Sequence, residues 1–129
     1  MIILKLLAGI LVLLILIVGF ATFNYYHTSA IADDLQDSLS GIKQHLEKEN
    51  WEQAYNQIKR LNSNWEKADR WWTPFMDHRE IDMLDQSIGR VTSLVEVRLR
   101  DEALVEIQTA KRMLQRIMDR EGINLSNIF

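Results

Sequence analysis

The chain has 129 residues, of which 47% are hydrophobic and 26% are charged, and its formal net charge is -3. This length allows one domain, and the absence of cysteine excludes disulfides, thiolate metal sites and a cysteine nucleophile. The acidic balance argues against a nucleic-acid partner, which would require a basic face. Since glycine is scarce and no motif identifies a reaction, we predict a non-enzymatic protein without cofactor, metal or small-molecule substrate.

The first element is an apolar segment at residues 6–23, with the sequence LLAGILVLLILIVGFATF. Lys5 precedes it, and the next charged residue is Asp33. About 20 helical residues cross a hydrocarbon core of about 30 Å, so the segment is long enough to span a membrane. We therefore predict a transmembrane anchor over residues 1–27, in contact with the lipid bilayer.

The positive charges around this segment predict its orientation. Lys5 and the α-amino group lie on its N-terminal side, and on its C-terminal side no Lys or Arg occurs before Lys43. This asymmetry favours a single-pass protein of the cell membrane with a cytoplasmic N-terminus and an extracytoplasmic C-terminal domain. A cleaved signal peptide is the alternative, because Ala30-Ile31-Ala32 fits a small-x-small cleavage site.

The remainder of the chain shows helical spacing of apolar residues four times. We predict helices over about 28–49, 51–72, 74–97 and 101–121. Their apolar stripes are Ile31, Leu35, Leu39, Ile42 and Leu46; Ala54, Ile58, Leu61, Trp65, Ala68 and Trp72; Ile81, Leu84, Ile88, Val91 and Val95; and Ala103, Ile107, Ala110, Leu114 and Ile117. Nothing between Ala21 and Ile31 breaks the apolar segment, so the first of these helices can continue it.

Local signals place the helix boundaries. Asn50 can cap the second helix. Thr73-Pro74 indicates the start of the third, because Thr caps a helix and Pro fits its first turn, and Pro74 disfavours helical geometry at Thr73. Asp101 is a cap for the fourth helix, and Gly122 ends it. Residues 123–129 are then a C-terminal tail.

These helices predict an all-α fold with a helical domain over residues 28–122. A shift of 49 residues superimposes the first stripe on the third and the second on the fourth, although seven heptads give the same shift. The N-terminal transmembrane helix is therefore followed by an antiparallel four-helix bundle or by two stacked helical hairpins. The sustained stripes leave a homo-oligomer open.

The chain has four tryptophans, which is more than a small helical core usually takes. One interpretation is core packing with a clamp across the turn at Thr73. The other is an exposed aromatic anchor for a partner or for the membrane surface, formed by Trp71, Trp72 and Phe75.

The densest polar cluster runs from Asp77 to Asp82. Extending the third stripe backwards places Asp77 and His78 on the core side, where His78 would fix the helix corner through a hydrogen bond. Asp77, His78 and Asp82 are the predicted structural or sensing corner. The alternatives are a pH response of His78 and a metal site that adds His45 or Asp85.

The order of these motifs resembles a known family. Trp65 and Trp71-Trp72 precede the block Phe75-x-Asp77-His78-x-Glu80-Ile81, and the chain ends in Asn127-Ile128-Phe129. This is similar to small single-span bacterial membrane proteins of spore-forming lineages that form a domain of unknown function. The resemblance implies a membrane-anchored helical domain without a known activity. Through an association with multi-span YetF-like proteins, it also implies a membrane partner.

The sequence therefore predicts a membrane-anchored helical module that binds a partner membrane protein. An extracytoplasmic module that senses pH or a metal ion, centred on His78, is the alternative.

Overall fold

A computed structural model of the chain describes the backbone of residues 1–128 and the side chains of residues 1–120. This part of the chain contains no strand, and its four helices are α1 (Ile2–Glu47), α2 (Trp51–Trp72), α3 (His78–Glu96) and α4 (Arg100–Ile128). Each helix packs against the next one, and α4 packs against α1. Short connections make neighbouring helices antiparallel, so this closed ring is a four-helix bundle, which confirms the predicted all-α fold.

The core of the bundle consists of the four predicted stripes. Every residue of these stripes is buried except Ile31, which is partly buried and packs against the core. Ala32 and Met76 are also buried there. Steps of three and four residues place each stripe on one helix face, and the four faces meet in the centre of the ring.

The helix α1 runs without a break from the apolar segment into the bundle. Residues 1–20 of the chain are exposed, and the first buried side chain of α1 is Thr28. Its length and composition are sufficient to cross a membrane, and no part of its most apolar 18-residue window is buried. One helix therefore serves as a candidate membrane span and as a wall of the bundle.

Two similar turns connect α1 to α2 and α3 to α4. In the first, Glu49 has a φ of 55°, and the N–H of Asn50 donates to the carbonyl oxygen of His45 at 2.8 Å. In the second, Arg98 has a φ of 58°, and the equivalent hydrogen bond is 2.9 Å. Both turns are Schellman motifs, which end a helix at a left-handed residue. Asn50 precedes α2 as predicted, but its side chain makes no capping hydrogen bond within the described chain.

The connection between α2 and α3 differs from the prediction. Thr73 has helical dihedral angles, φ -50° and ψ -43°, and α3 begins at His78 instead of Pro74. The hydroxyl of Thr73 donates to the carbonyl oxygen of Asp69 at 2.6 Å, and the Thr73 N–H donates to the same oxygen at 3.0 Å. These bonds hold Thr73 in the last turn of α2, and this outweighs the effect of the following proline.

The ends of α4 also differ from the predicted ones. The helix begins at Arg100, so Asp101 lies in its first turn instead of capping it. It continues past Gly122 to Ile128, since a glycine inside a helix costs only about 1 kcal/mol relative to alanine. The predicted tail, residues 123–129, lies outside the residues whose side chains the structure describes.

Polar side chains connect α1 to α4 beside the core. The ammonium of Lys111 donates to the hydroxyl of Ser40 at 2.7 Å, and the amide of Gln36 donates to the carbonyl oxygen of Lys111 at 3.2 Å. Burial lowers the pKa of Lys111, and the charge of Lys43 lowers it further.

Candidate functional site

Five rings meet where α1 enters the bundle, and we call this group the aromatic corner. It consists of Phe20, Phe23, His27, Trp71 and Phe75. The first three are spaced by three and four residues on α1, so they lie on one face of that helix. Trp71 comes from the last turn of α2, and Phe75 comes from the α2–α3 connection. The antiparallel topology brings these two segments together.

Trp71 attaches the end of α2 to α1. Its indole N–H donates to the side-chain oxygen of Asn24 at 3.2 Å. Its ring meets His27 edge-on, with ring centroids 4.3 Å apart, and meets Phe23 at 6.2 Å. The rings of Phe23 and His27 are stacked at 5.7 Å. Trp71 thus packs within the chain, where it attaches the end of α2 to α1 at the C-terminal end of the apolar segment.

Phe75 is the outer member of the aromatic corner. Its ring centroid lies 6.5 Å from that of Trp71 and 6.4 Å from that of Phe20. The side chain is nevertheless 53% exposed. Phe75 therefore leans on the apolar segment of α1 and keeps about half of its surface free for another contact.

The backbone of the α2–α3 connection holds Phe75 in this position. The N–H groups of Phe75 and Met76 both donate to the carbonyl oxygen of Trp72 at 2.9 Å. Met76 turns into the core, and the carboxylate of Asp77 caps α3 by accepting the N–H of Arg79 at 2.9 Å. The carboxylate of Asp77 therefore fixes this corner through a helix cap, whereas the sequence predicted that a hydrogen bond of His78 would fix it.

Trp72 and Trp65 belong to the core. Trp72 is fully buried, so the predicted direct contact of Trp72 with a partner is wrong for this fold. Successive residues on a helix point about 100° apart, and this separates Trp72 in the core from Trp71 on α1. The two core rings meet edge-on at 6.3 Å, and the N–H of Trp65 donates to the carboxylate of Asp85 at 2.7 Å. Among the described residues, the buried N–H of Trp72 has no hydrogen-bond partner.

His78 and Asp82 are exposed on α3. The predicted core-side position of Asp77 and His78 is wrong, because α3 begins at His78 and the stripe does not extend before Ile81. Among the described residues, no group of three His, Cys, Asp or Glu side chains could hold a metal ion.

The alternative of a metal site added His45 or Asp85 to His78 and Asp82. His45 lies in the last turn of α1, at the opposite end of the bundle from His78 in the first turn of α3. Asp85 accepts the hydrogen bond of Trp65. His45 therefore lies one bundle length away from His78 and Asp82, and Asp85 is already engaged by Trp65.

A groove opens beside the aromatic corner, between α1 and α2. Its lining residues are His27, Ala30, Ile31, Asp34, Lys67, Arg70 and Trp71. The lining combines apolar and aromatic side chains with two cations and one carboxylate, and such a lining suits an amphipathic group. His27 and Trp71 belong both to this groove and to the aromatic corner.

The sequence did not single out Phe20, Phe23 and Asn24, and it did not connect His27 with Trp71. They lie in or next to the apolar segment, where aromatic residues are ordinary membrane-helix residues. A signal was available, because Phe20, Phe23 and His27 are spaced to form one helix face, and Trp71 and Phe75 are also four residues apart.

The fold and the corner define a helical bundle built on a membrane-compatible apolar helix. The chain belongs to the family described as Domain of unknown function (DUF4363), whose profile matches residues 22–128. This match confirms the resemblance to a domain of unknown function, and it spans the whole bundle and most of the aromatic corner. Comparisons with curated proteins and with solved structures found no match.

Proposed function

We propose that this protein is a membrane-anchored, non-enzymatic module that binds a partner membrane protein. In this proposal α1 crosses the cell membrane with its N-terminus in the cytoplasm, and the bundle stands on the outer side. The observation that carries the proposal is the continuity of α1, whose residues up to Phe20 are exposed and whose side chains on one face, from Thr28 onwards, are buried in the bundle.

The distribution of apolar surface supports a contact within the membrane. The bundle uses its apolar stripes for its own core, and Trp71 and Trp72 are engaged within the chain. The exposed large apolar side chains are concentrated in α1 between Met1 and Phe23. Helices of a partner membrane protein can pack against this surface, because association in lipid depends on close packing.

The test compares two tagged proteins purified from native membranes. One is the full chain, and the other carries the same bundle on an unrelated membrane helix that replaces residues 1–20. We expect one membrane protein to be recovered in constant ratio with the native α1 and to be lost with the replacement. Recovery with both proteins would place the contact on the bundle, and recovery with neither would overturn partner binding.

The orientation has its own test, which the absence of cysteine makes simple. A single Glu52→Cys substitution puts a thiol on the exposed first turn of α2. A membrane-impermeant maleimide added to intact cells is expected to label it. Labelling only after the cells are opened would place the bundle in the cytoplasm and contradict the orientation.

A further inference from the structure

We infer that the α2–α3 connection is a second membrane contact, in which the ring of Phe75 inserts into the lipid bilayer at its interface. The inference rests on the proposed anchoring by α1 and adds to it a named point where the bundle touches lipid. It commits to lipid as the occupant of this surface, and a lack of lipid quenching at position 75 is the outcome that a protein contact would give.

The level of Phe75 along α1 is the first argument. Its ring lies against Phe20, which belongs to the apolar segment 6–23, with the ring centroids 6.4 Å apart. A helix rises about 1.5 Å per residue, so Phe20 lies about 5 Å before the last residue of that segment. If the segment occupies the hydrocarbon core, Phe75 reaches the same depth.

The polar groups of the corner mark the boundary just above this level. Asn24 follows the apolar segment directly, and it accepts the N–H of Trp71. The pair Phe20–Phe75 is thus apolar, and the pair Asn24–Trp71, about one helical turn further on, is polar. Tyr25 and Tyr26 follow at the same height, where aromatic residues with a polar group favour the membrane interface.

The exposure of Phe75 is the second argument. The ring is 53% exposed although the next residue, Met76, is only 9% exposed and packs into the core. The turn therefore directs one apolar side chain inward and one outward, and the outward one lies beside the exposed apolar surface of α1. In a bilayer without a partner protein, lipid covers the apolar surface of the span, and continuity with that surface extends the lipid contact to Phe75.

The experiment measures the depth of single positions in the full chain. Single Phe75→Cys, Leu13→Cys and Val97→Cys variants are labelled with an environment-sensitive fluorophore and reconstituted in vesicles of phosphatidylcholine and phosphatidylglycerol. Nitroxide lipids then quench the fluorophore from the headgroup level or from deep in the acyl chains. Val97 is the matched control, because it is apolar and 64% exposed but lies in the turn at the opposite end of the bundle. Circular dichroism verifies that each variant keeps its helix content.

We expect the label at position 75 to be blue-shifted and quenched most strongly by the nitroxide near the headgroup. The label at position 13 is expected to be quenched by the deep nitroxide, and the label at position 97 by neither. Quenching at position 13 but not at position 75 would overturn the lipid contact of Phe75 and leave the anchor intact. Loss of quenching at position 13 would overturn the anchor itself, and equal quenching at positions 75 and 97 would show non-specific adsorption and overturn the inference.

Discussion

Glu49 and Arg98 share the left-handed backbone conformation and lie 49 residues apart, at the same place in the two hairpin turns. Heptad spacing alone makes the stripes coincide under this shift, but it does not make a left-handed residue and its hydrogen bonds coincide. The internal repeat of the sequence therefore corresponds to a repeated helical hairpin with its turn. Neither residue is glycine, although the left-handed conformation costs other residues about 1 kcal/mol.

Replacing Glu49 by glycine is expected to stabilise the protein by about 0.5–1 kcal/mol, because glycine adopts the left-handed conformation without steric strain. The free energy of unfolding of the full chain is measured by chemical denaturation in detergent micelles, followed by circular dichroism. Lys48→Gly is the control, since Lys48 precedes the left-handed residue and has a φ of -91°. An equal gain in Lys48→Gly would contradict the explanation.

Removing the N–H of Trp71 tests the attachment of α2 to α1. Trp71→Phe keeps an aromatic ring against His27 but loses the hydrogen bond to Asn24, and we expect a loss of about 1 kcal/mol in unfolding free energy. Asn24→Ala is expected to have a similar effect. The double variant is expected to lose little more than either single variant, because both changes remove the same bond. Fully additive losses would show that the bond contributes nothing.

Two of the exposed carboxylates on α3, Asp82 and Asp85, are expected to differ in their contribution to stability. Asp85→Ala leaves the N–H of Trp65 without its acceptor, and Trp65 is only 5% exposed, so we expect a loss of about 1–2 kcal/mol. Asp82→Ala removes an exposed carboxylate on the same helix and is expected to change the unfolding free energy by less than about 0.5 kcal/mol. Thermal or chemical unfolding of both variants measures this. Equal effects would contradict a structural role for Asp85.

The free energy of unfolding of the bundle is expected to change with pH in the alkaline range because of Lys111. Its pKa is lowered from the ordinary 10.5 by burial and by Lys43, so the folded state disfavours the charged form. Between the lowered pKa and 10.5 the unfolded chain binds more protons than the folded one. The unfolding free energy should therefore rise with pH across this window, and the destabilisation should be fully present below it.

Lys43→Gln isolates one cause of this pH dependence. Without the charge of Lys43, the pKa of Lys111 is expected to rise towards its ordinary value, and the increase in stability with pH should become smaller. Denaturation at a series of alkaline pH values measures the slope. Lys48→Gln is the control, because it removes an equal charge from the exposed end of α1. An equal slope of unfolding free energy against pH in both variants would contradict the effect of the Lys43 charge on Lys111.

The sequence predicted the core well, because burial on a helix has a local signature. Residues such as Leu35, Ile58 and Leu114 repeat every three or four positions, and all of them are buried. The start of α3 was predicted four residues too early, since Thr73-Pro74 carried a start signal that hydrogen bonds within the last turn of α2 override. The sequence pattern does not show whether a hydrogen bond such as that from Thr73 to Asp69 stabilises helical geometry at Thr73 more than the following proline disfavours it.

Spacing could group the rings of the aromatic corner within each segment, but it could not predict the contacts between the segments, for a different physical reason. Trp71 and Asn24 are 47 residues apart, and they meet only because α1 passes the end of α2 in the assembled ring. Whether Trp71 faces a partner or its own chain depends on what packs beside it, and periodicity does not contain this information. Phe75 remains a predicted outside contact, and its exposed half is consistent with that role.

In the proposed membrane anchoring, the uninterrupted course of α1 makes the bundle a rigid extension of the anchor. Membrane helices adapt to thinner or thicker bilayers by changing their tilt. Since the aromatic corner fixes α2 to α1, the bundle would follow that tilt as one body, and the turn around Arg98 at its far end would move the most. Bilayer thickness would thus be converted into the angle at which the bundle meets its neighbours.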